Sequence, residues 1–172
     1  MKKILAGLIL IVLLLSAAVA FLVVYKDGEL VRKAFSWLEK RQRFNRRFEE
    51  AVQGVAYCQW LVGESYAYGS YVSQNHKEAV RWFRYSAEQG NRDGQLLLAK
   101  CLLDGRGVVK NEVEALMWLN LVASASAGQY SGEEDREFRD SIAAKLSPGD
   151  IKAAQDLALN WRKKSWAELK EF

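Results

Sequence analysis

The sequence predicts an all-α protein, a solenoid of αα-hairpins preceded by a single transmembrane helix. Three observations predict this class. Residues 4–24 contain no charged side chain, the middle of the chain repeats itself at a spacing of 36 residues, and apolar residues recur at helical intervals elsewhere. The length of 172 residues allows one domain with an extension.

The composition excludes several functional classes. One Pro and 12 Gly exclude a collagen-like or Pro-rich disordered chain. A single His and two Cys are too few for a zinc site of His and Cys alone or for a disulfide scaffold. A net charge of +4 is too small to indicate nucleic-acid binding. We therefore expect no metal, no cofactor, no nucleic-acid partner and no small-molecule substrate.

Residues 1–25 are predicted to be a membrane anchor. The charge-free run 4–24 would form a helix about 31 Å long at about 1.5 Å per residue, which matches a hydrocarbon core of about 30 Å. The run is apolar on all sides. Side chains suited to the membrane interface flank it: Lys2, Lys3, Tyr25 and Lys26. The lipid bilayer is therefore one expected partner.

A cleaved signal peptide is the alternative interpretation of the same segment. Ala18, Val19 and Ala20 fit an A-x-A cleavage site, although the apolar run continues from 21 to 24. The count of Lys and Arg on the two sides favours a cytoplasmic globular part, whereas the short MKK start is typical of a bacterial signal-anchor that sends its C-terminus outward. We expect a single-pass protein of the bacterial inner membrane with a periplasmic globular part.

Residues 26–52 are predicted to be a basic amphipathic stem helix, with Gly28 as the candidate break. Eight basic and five acidic residues between 26 and 50 give a net charge of +3. Five cations are candidates for contact with anionic headgroups: Lys40, Arg41, Arg43, Arg46 and Arg47. A solvated helix face is the main alternative, and a nucleic-acid patch is a further one.

An internal repeat appears when the chain is shifted against itself by 36 positions. Nine identities align without a gap: Gln59/Gln95, Leu61/Leu97, Gly69/Gly105, Val72/Val108, Asn75/Asn111, Glu78/Glu114, Ala79/Ala115, Trp82/Trp118 and Ala87/Ala123. We place the two units at residues 53–90 and 91–128. A single unit cannot bury its apolar face alone, so the two units must stack.

Each unit is predicted to be a pair of helices. In the second unit the pattern predicts a short helix over 94–103, a turn over 104–107 and a longer helix over 112–125. Gly105 and Gly107 are expected to adopt positive φ in that turn. The tryptophans at 82 and 118 are expected in the core, because Trp buries a large area.

The second unit also carries a family pattern, namely Gly94, Gln95, Leu98, Ala99, Leu102, Gly105, Gly107, Val108, Ala115 and Trp118. At that spacing the set resembles the Sel1-like repeat, an αα-hairpin related to the tetratricopeptide repeat. The first unit departs from the pattern where Tyr71 replaces the second turn glycine, which predicts a longer or strained loop. The resemblance implies a protein-binding repeat and names no catalytic residue.

Residues 129–172 are predicted to be a capping hairpin and a tail. Ser147 is expected to be an N-cap, with Pro148 at the first helical position and Asp150 at the third. One apolar stripe is expected along this helix: Ile151, Ala154, Leu157, Ala158 and Trp161. A preceding helix over 133–146 would help it to cover the open end of the second repeat.

The candidate binding surface is the concave face of the solenoid, which the first helix of each unit lines in tetratricopeptide-like proteins. Its predicted partner-binding residues are Tyr57, Trp60, Leu61, Glu64, Leu96, Leu97 and Lys100. Trp60 is the expected anchor for a protein partner. The alternative is that the stem helix folds back and buries Trp60 and Leu61.

No catalytic residue is assigned. His76 is expected at the surface, and the acidic residues at 133–135 suit a helix N-terminus. No bond between Cys58 and Cys101 is expected. The two positions are about 10 Å apart along the helix direction and about another 8–10 Å apart sideways, whereas a disulfide needs Cα atoms within about 7 Å.

We therefore expect a membrane-anchored, non-enzymatic adaptor that binds another protein. One alternative is a structural subunit that assembles through its transmembrane helix and the tail 166–172. A more remote one is a cleaved-signal periplasmic protein with hydrolase activity on envelope polymers.

Overall fold

The computed structural model describes residues 14–21, 28–125 and 132–170, and this part of the chain is helical with no strand. Residues 14–21 are helical, and the helices that follow are α1 (Gly28–Val52), α2 (Ala56–Tyr68), α3 (His76–Glu88), α4 (Arg92–Asp104), α5 (Glu112–Ala125), α6 (Gly132–Ala143), α7 (Pro148–Asn160) and α8 (Trp166–Leu169). The predicted all-α class is confirmed. The chain divides into two compact units, residues 1–43 and 44–172.

The first unit holds the start of α1 and the segment 14–21. All eight side chains of this segment are exposed. Most of the predicted span 4–24 lies outside the described residues. Within the part that is described, no helix is both long enough and apolar enough to cross a bilayer. The stem helix begins at Gly28, where a break was expected.

The two predicted hairpins are present in the second unit, as α2 with α3 and α4 with α5. The longer helix of each begins with the same cap. The Asn75 side chain accepts hydrogen bonds from the backbone N–H groups of Lys77 and Glu78, and Asn111 accepts one from Glu114. These bonds satisfy amide groups that have no partner within the helix. Both hairpins therefore begin their second helix by the same local chemistry.

The turns of the two hairpins have the same length and backbone shape. Gly69 and Gly105 end the first helices with φ of 68° and 69°. Two residues later, Tyr71 has φ of 70° and Gly107 has φ of 74°. The loop at Tyr71 is therefore not longer, and this non-glycine residue adopts the strained left-handed conformation.

The turn of the second hairpin packs against the first. A Cβ atom added to Gly107 would overlap the carbonyl group of His76, at the start of α3, and would lie 2.8 Å from the nitrogen of Lys77. Only glycine permits this approach. Close contact between successive hairpins therefore explains one of the family glycines.

The core of the second unit lies between the hairpins. Its largest fully buried side chains include Trp118, Phe83 and Leu98. Trp82 is also buried, so the prediction that both repeat tryptophans belong to the core is confirmed. Each stacked interface between helices then excludes water, which is the main source of stability for such repeats.

Two buried glutamines repeat the same contact. Gln59 Nε2 donates to the carbonyl oxygen of Ala51, at 3.0 Å, and Gln95 Nε2 donates to that of Ala87, at 3.3 Å. Both donors and both acceptors are 36 residues apart. Residues 44–52 at the end of α1 therefore occupy the place that the second helix of a preceding repeat would hold.

This end of α1 builds its own apolar cluster with the first hairpin. The buried members are Phe44, Ala51, Cys58, Val62 and Trp82. Phe48 adds an edge-on contact to Trp82, with ring centroids 5.6 Å apart. The open side of the first repeat is thus covered from within the chain.

The other open side is covered by α6 and α7, which both pack against α5. Ser147 caps α7 and Pro148 occupies its first turn, as predicted. Ala154 is buried, but Leu157 remains 49% exposed. The predicted apolar stripe is therefore wrong at Leu157, because α7 meets the repeats along a narrower line than the sequence pattern suggests.

Helix α6 is tied to the second repeat by an ion pair. Arg92 Nη2 lies 2.7 and 2.6 Å from the two carboxylate oxygens of Asp135. Asp135 is buried, and both of its oxygens accept from the same charged nitrogen, a type of hydrogen bond stronger than one between neutral groups. This pair fixes where the cap meets α4.

The chain after α7 runs back along the repeats. Trp161 Nε1 donates to Glu88 Oε2 at 3.2 Å. The backbone N–H of Lys164 donates to the carbonyl of Glu88 at 2.8 Å, and its ammonium group pairs with the same carboxylate at 3.2 Å. Residues 161–164 are therefore bound to the end of α3 in the first repeat.

The return continues to the start of the first hairpin. The Trp166 ring meets the Tyr85 ring edge-on, with centroids 5.3 Å apart, and it covers Gly54 so closely that a Cβ there would overlap the indole. Leu169 is buried. We call residues 161–170 the strap. Trp166 of the strap therefore packs against the first hairpin of its own chain.

Candidate functional site

The predicted binding residues lie on two neighbouring helices. Tyr57, Trp60, Leu61 and Glu64 belong to α2, and Leu96, Leu97 and Lys100 belong to α4. Helices α2 and α4 contact each other directly. Because α2 and α4 are the first helices of successive hairpins, the seven side chains belong to one continuous surface, which we call the α2/α4 face.

The aromatic part of this face is the pair of Tyr57 and Trp60. Their rings meet edge-on with centroids 5.2 Å apart, and Tyr57 is 55% exposed. Trp60 and Leu61 are only partly buried. The end of α1 packs instead on Cys58 and Val62, so the alternative that the stem covers Trp60 and Leu61 is not what the structure has.

The acidic part of the face lies next to this pair. Glu64 is one turn beyond Trp60, and its pKa is raised chiefly by burial and further by the negative charge of Asp93. Arg47, at the end of α1, opposes the increase. Asp93 itself pairs with Arg92 at 3.0 Å. Asp93 therefore adds negative charge to the surroundings of Glu64, while Arg47 adds positive charge and Arg92 pairs with Asp93.

The remaining three residues have different roles. Leu96 and Leu97 are partly buried and pack against the core. Lys100 is exposed, and its ammonium lies 5.9 Å from the centre of the Phe138 ring of α6. Lys100 is thus directed toward the cap.

Two cavities border this face at Lys100. One has a volume of about 130 Å³ and is lined by residues including Ala67, Tyr68 and Leu97. The other has a volume of about 340 Å³ and extends toward the cap, where Phe138 and Leu146 line it.

Comparison with known families bears on these hairpins directly. The Sel1 repeat family matches residues 56–91 and 92–126. Each matched range corresponds to one of the two hairpins. The first match begins at the start of α2 and the second ends just after α5, so the α2/α4 face lies wholly within the residues that match the Sel1 repeat.

Two solved structures resemble the chain. A protective antigen of uropathogenic Escherichia coli that displays an SLR fold matches 78% of this chain, with 23% identity and a TM-score of 0.64, and the chain spans 29% of that protein's length. A Sel1 repeat protein from Oxalobacter formigenes matches over 67% of this chain and 98% of its own, with 26% identity and a TM-score of 0.47. No curated protein sequence matches. The first likeness supports the helical repeat fold.

The sequence prediction missed one member of the face. Asp93 was left out, although it lies 36 residues after Tyr57, which was included. The other predicted residues form three such pairs between the two Sel1 repeats. Applying the repeat spacing to Tyr57 as well would have found Asp93.

The five predicted membrane-surface cations fall on both units. Lys40, Arg41 and Arg43 belong to the first unit, and Arg46 and Arg47 belong to the second. Arg47 lies close enough to Glu64 to lower its pKa. Arg47 is therefore part of the electrostatic surroundings of the α2/α4 face.

The reactive groups outside this face are few. Cys58 and Cys101 are free thiols. Burial, together with a hydrogen bond to Glu50, raises the pKa of Cys58 to about 11, so the thiol is neutral at pH 7. Within the described residues, no group of three or more His, Cys, Asp or Glu side chains is arranged to hold a metal ion.

Proposed function

We propose that the two Sel1 repeats form a non-enzymatic adaptor that binds a protein segment on the α2/α4 face. Sel1 repeats generally serve as protein-interaction scaffolds, and the chain carries two of them in succession. The observation that carries the proposal is the edge-on aromatic pair of Tyr57, which is exposed, and Trp60, one helical turn before the carboxylate of Glu64.

The composition of this face indicates the chemistry of its partner. Tyr57 and Trp60 offer an aromatic surface, and Leu61 adds an aliphatic one. The charge of Asp93 raises the pKa of Glu64, although Arg92 pairs with Asp93 and Arg47 opposes the shift, and a further cationic side chain beside Glu64 would stabilise its charged form. We infer a partner segment that carries an apolar side chain next to a Lys or Arg.

Selection of peptides from a random display library on the purified full-length chain in detergent tests this proposal. We expect enriched peptides to combine an aromatic or aliphatic residue with a Lys or Arg. The variant Glu64→Lys should weaken their binding by about ten-fold, since it replaces attraction by repulsion. Binding is measured by fluorescence anisotropy of a labelled peptide.

A matched control makes the same change of charge elsewhere. Glu133→Lys lies on α6 at a site whose side chain is 74% exposed, and it should leave the affinity within about two-fold. Tyr57→Ala removes an exposed ring and should also weaken binding while the helical content is unchanged. Equal effects of the two Glu→Lys variants, or selected peptides without a cation, would refute the assignment.

We further propose that the adaptor is tethered to a bacterial inner membrane through residues 4–24, with the repeats in the periplasm. The support is the charge-free sequence of this segment and the exposure of its described large apolar side chains, Leu14, Leu15, Val19 and Phe21. Fusion of alkaline phosphatase or a cytoplasmic fluorescent protein to the C-terminus reports the side on which the repeats lie. An active phosphatase fusion is the expected result, and a fluorescent fusion alone would reverse the orientation.

A further inference from the structure

The first part of α1, residues 28–43, carries three large apolar side chains that the described residues leave exposed. Phe35, Trp37 and Leu38 are 63%, 55% and 48% exposed. A water-facing helix rarely keeps three such large side chains in one short stretch without a partner. This stretch therefore requires an apolar environment.

The large apolar residues of this stretch lie on one side of the helix. At 100° per residue, Phe35, Trp37 and Leu38 share one broad arc with Ala34, and Arg41 also falls within that arc. The opposite arc carries four cations and two acids, namely Arg32, Lys33, Lys40, Arg43, Glu29 and Glu39. Residues 28–43 contain five basic and two acidic residues, a net charge of +3.

Two occupants could cover such a face, a second copy of the helix or the surface of a bilayer. Pairing two copies would bring two charges of +3 together, and the arc is wider than the narrow seam of a coiled coil. An anionic bilayer instead attracts these cations, and aromatic residues such as Phe35 and Trp37 favour the boundary between headgroups and acyl chains. Charge complementarity thus selects the bilayer.

We propose that residues 28–43 lie flat in the interface of an anionic bilayer, with Phe35, Trp37 and Leu38 toward the acyl chains. This inference rests on the proposed membrane tether and adds the position of the stem to it. If an uninterrupted helix instead ran from residue 24 through the stem, perpendicular to the bilayer, Trp37 would lie about 20 Å farther from the bilayer than residue 24, at about 1.5 Å per residue. The two arrangements differ in the depth of a single indole ring.

Quenching of tryptophan fluorescence by brominated acyl chains measures that depth. The full-length chain is reconstituted into vesicles rich in phosphatidylglycerol, with either brominated or ordinary lipids, and compared with the variant Trp37→Phe. The difference between the two proteins isolates the emission of Trp37. We expect bromine to lower this component about two-fold or more, and we expect Lys40→Glu with Arg43→Glu to weaken the effect.

Each other outcome overturns a defined part of the reasoning. If the chain floats with the vesicles but Trp37 is not quenched, the stem stands away from the bilayer and this inference fails while the tether holds. If the chain does not float with the vesicles, the tether fails as well. Cross-linking of two copies through a cysteine placed at 38, with Trp37 unquenched, would assign the face to a second copy instead.

Discussion

Replacing Gly107 by Ala tests the contact between successive repeats. The residue has φ of 74°, and an L side chain in this left-handed region costs about 1–2 kcal/mol. The added Cβ would also overlap the carbonyl of His76 and lie 2.8 Å from the nitrogen of Lys77, inside the ordinary contact range that begins at 3.4 Å. Overpacking against backbone costs about a further 1–3 kcal/mol. We expect a total loss of about 2–5 kcal/mol.

Gly105→Ala is the matched control. Its φ is 69°, but a Cβ there would meet its nearest neighbour, Lys110 Cβ, at 3.7 Å, so it should show the conformational cost of about 1–2 kcal/mol alone. Urea unfolding followed by circular dichroism at 222 nm gives the free energy of unfolding of each variant, with the slope checked for constancy. If Gly105→Ala and Gly107→Ala destabilise the protein equally, the second turn does not press on α3 and the stacking described above is wrong.

Three further predictions concern the strap, the thiols and the acidic part of the face. Trp166→Ala should lower the free energy of unfolding by about 2 kcal/mol, which is less than the loss of about 3–5 kcal/mol for a fully buried Trp. The control Leu159→Ala, at a side chain that is 83% exposed, should change it by less than about 0.5 kcal/mol. If Trp166→Ala also leaves the free energy of unfolding unchanged, the strap does not stabilise the fold. In single-cysteine variants at pH 8, Cys101 should react with a thiol reagent well before Cys58, which is buried and has a pKa of about 11. Similar reaction rates of the two thiols would contradict the packing of Cys58. The pKa of Glu64 is raised in the folded state, so the folded state binds this proton more tightly than the unfolded state does. Stability therefore falls as the pH rises from the ordinary pKa of a carboxyl group through the raised pKa. Denaturation of Glu64→Gln across pH 4–7 should lack this fall, and parallel pH profiles of the two proteins would remove the argument for a buried carboxylate.

The sequence specified the local structure of the repeats well. The identity of Asn75 with Asn111 and of Gly69 with Gly105 predicted the ends of the helices, because capping and positive φ are properties of single residues and their immediate neighbours. Likewise, Ser147 and Pro148 predicted the start of α7. These features need no knowledge of distant parts of the chain.

The seven predicted residues of the binding face were placed by the repeat spacing and a known geometry of tetratricopeptide-like solenoids. The acidic pair was not, since the proximity of Glu64 and Asp93 depends on how α2 packs against α4. The surroundings of Trp60 also depended on the tertiary structure, because the end of α1 packs on Cys58 and Val62, whereas Trp60 packs against the other core cluster.

Taken alone, the amino-acid order determined that the chain is helical, that two Sel1-type hairpins follow one another, and where their caps and turns lie, because each of these depends on short-range periodicity and on individual residues. Only the tertiary structure decided that the end of α1 replaces a missing repeat, that the strap returns to Gly54, and that Leu157 remains exposed. These are contacts between segments far apart in sequence. Such contacts depend on which apolar surfaces pack against each other in the folded chain, and the local sequence pattern does not specify this.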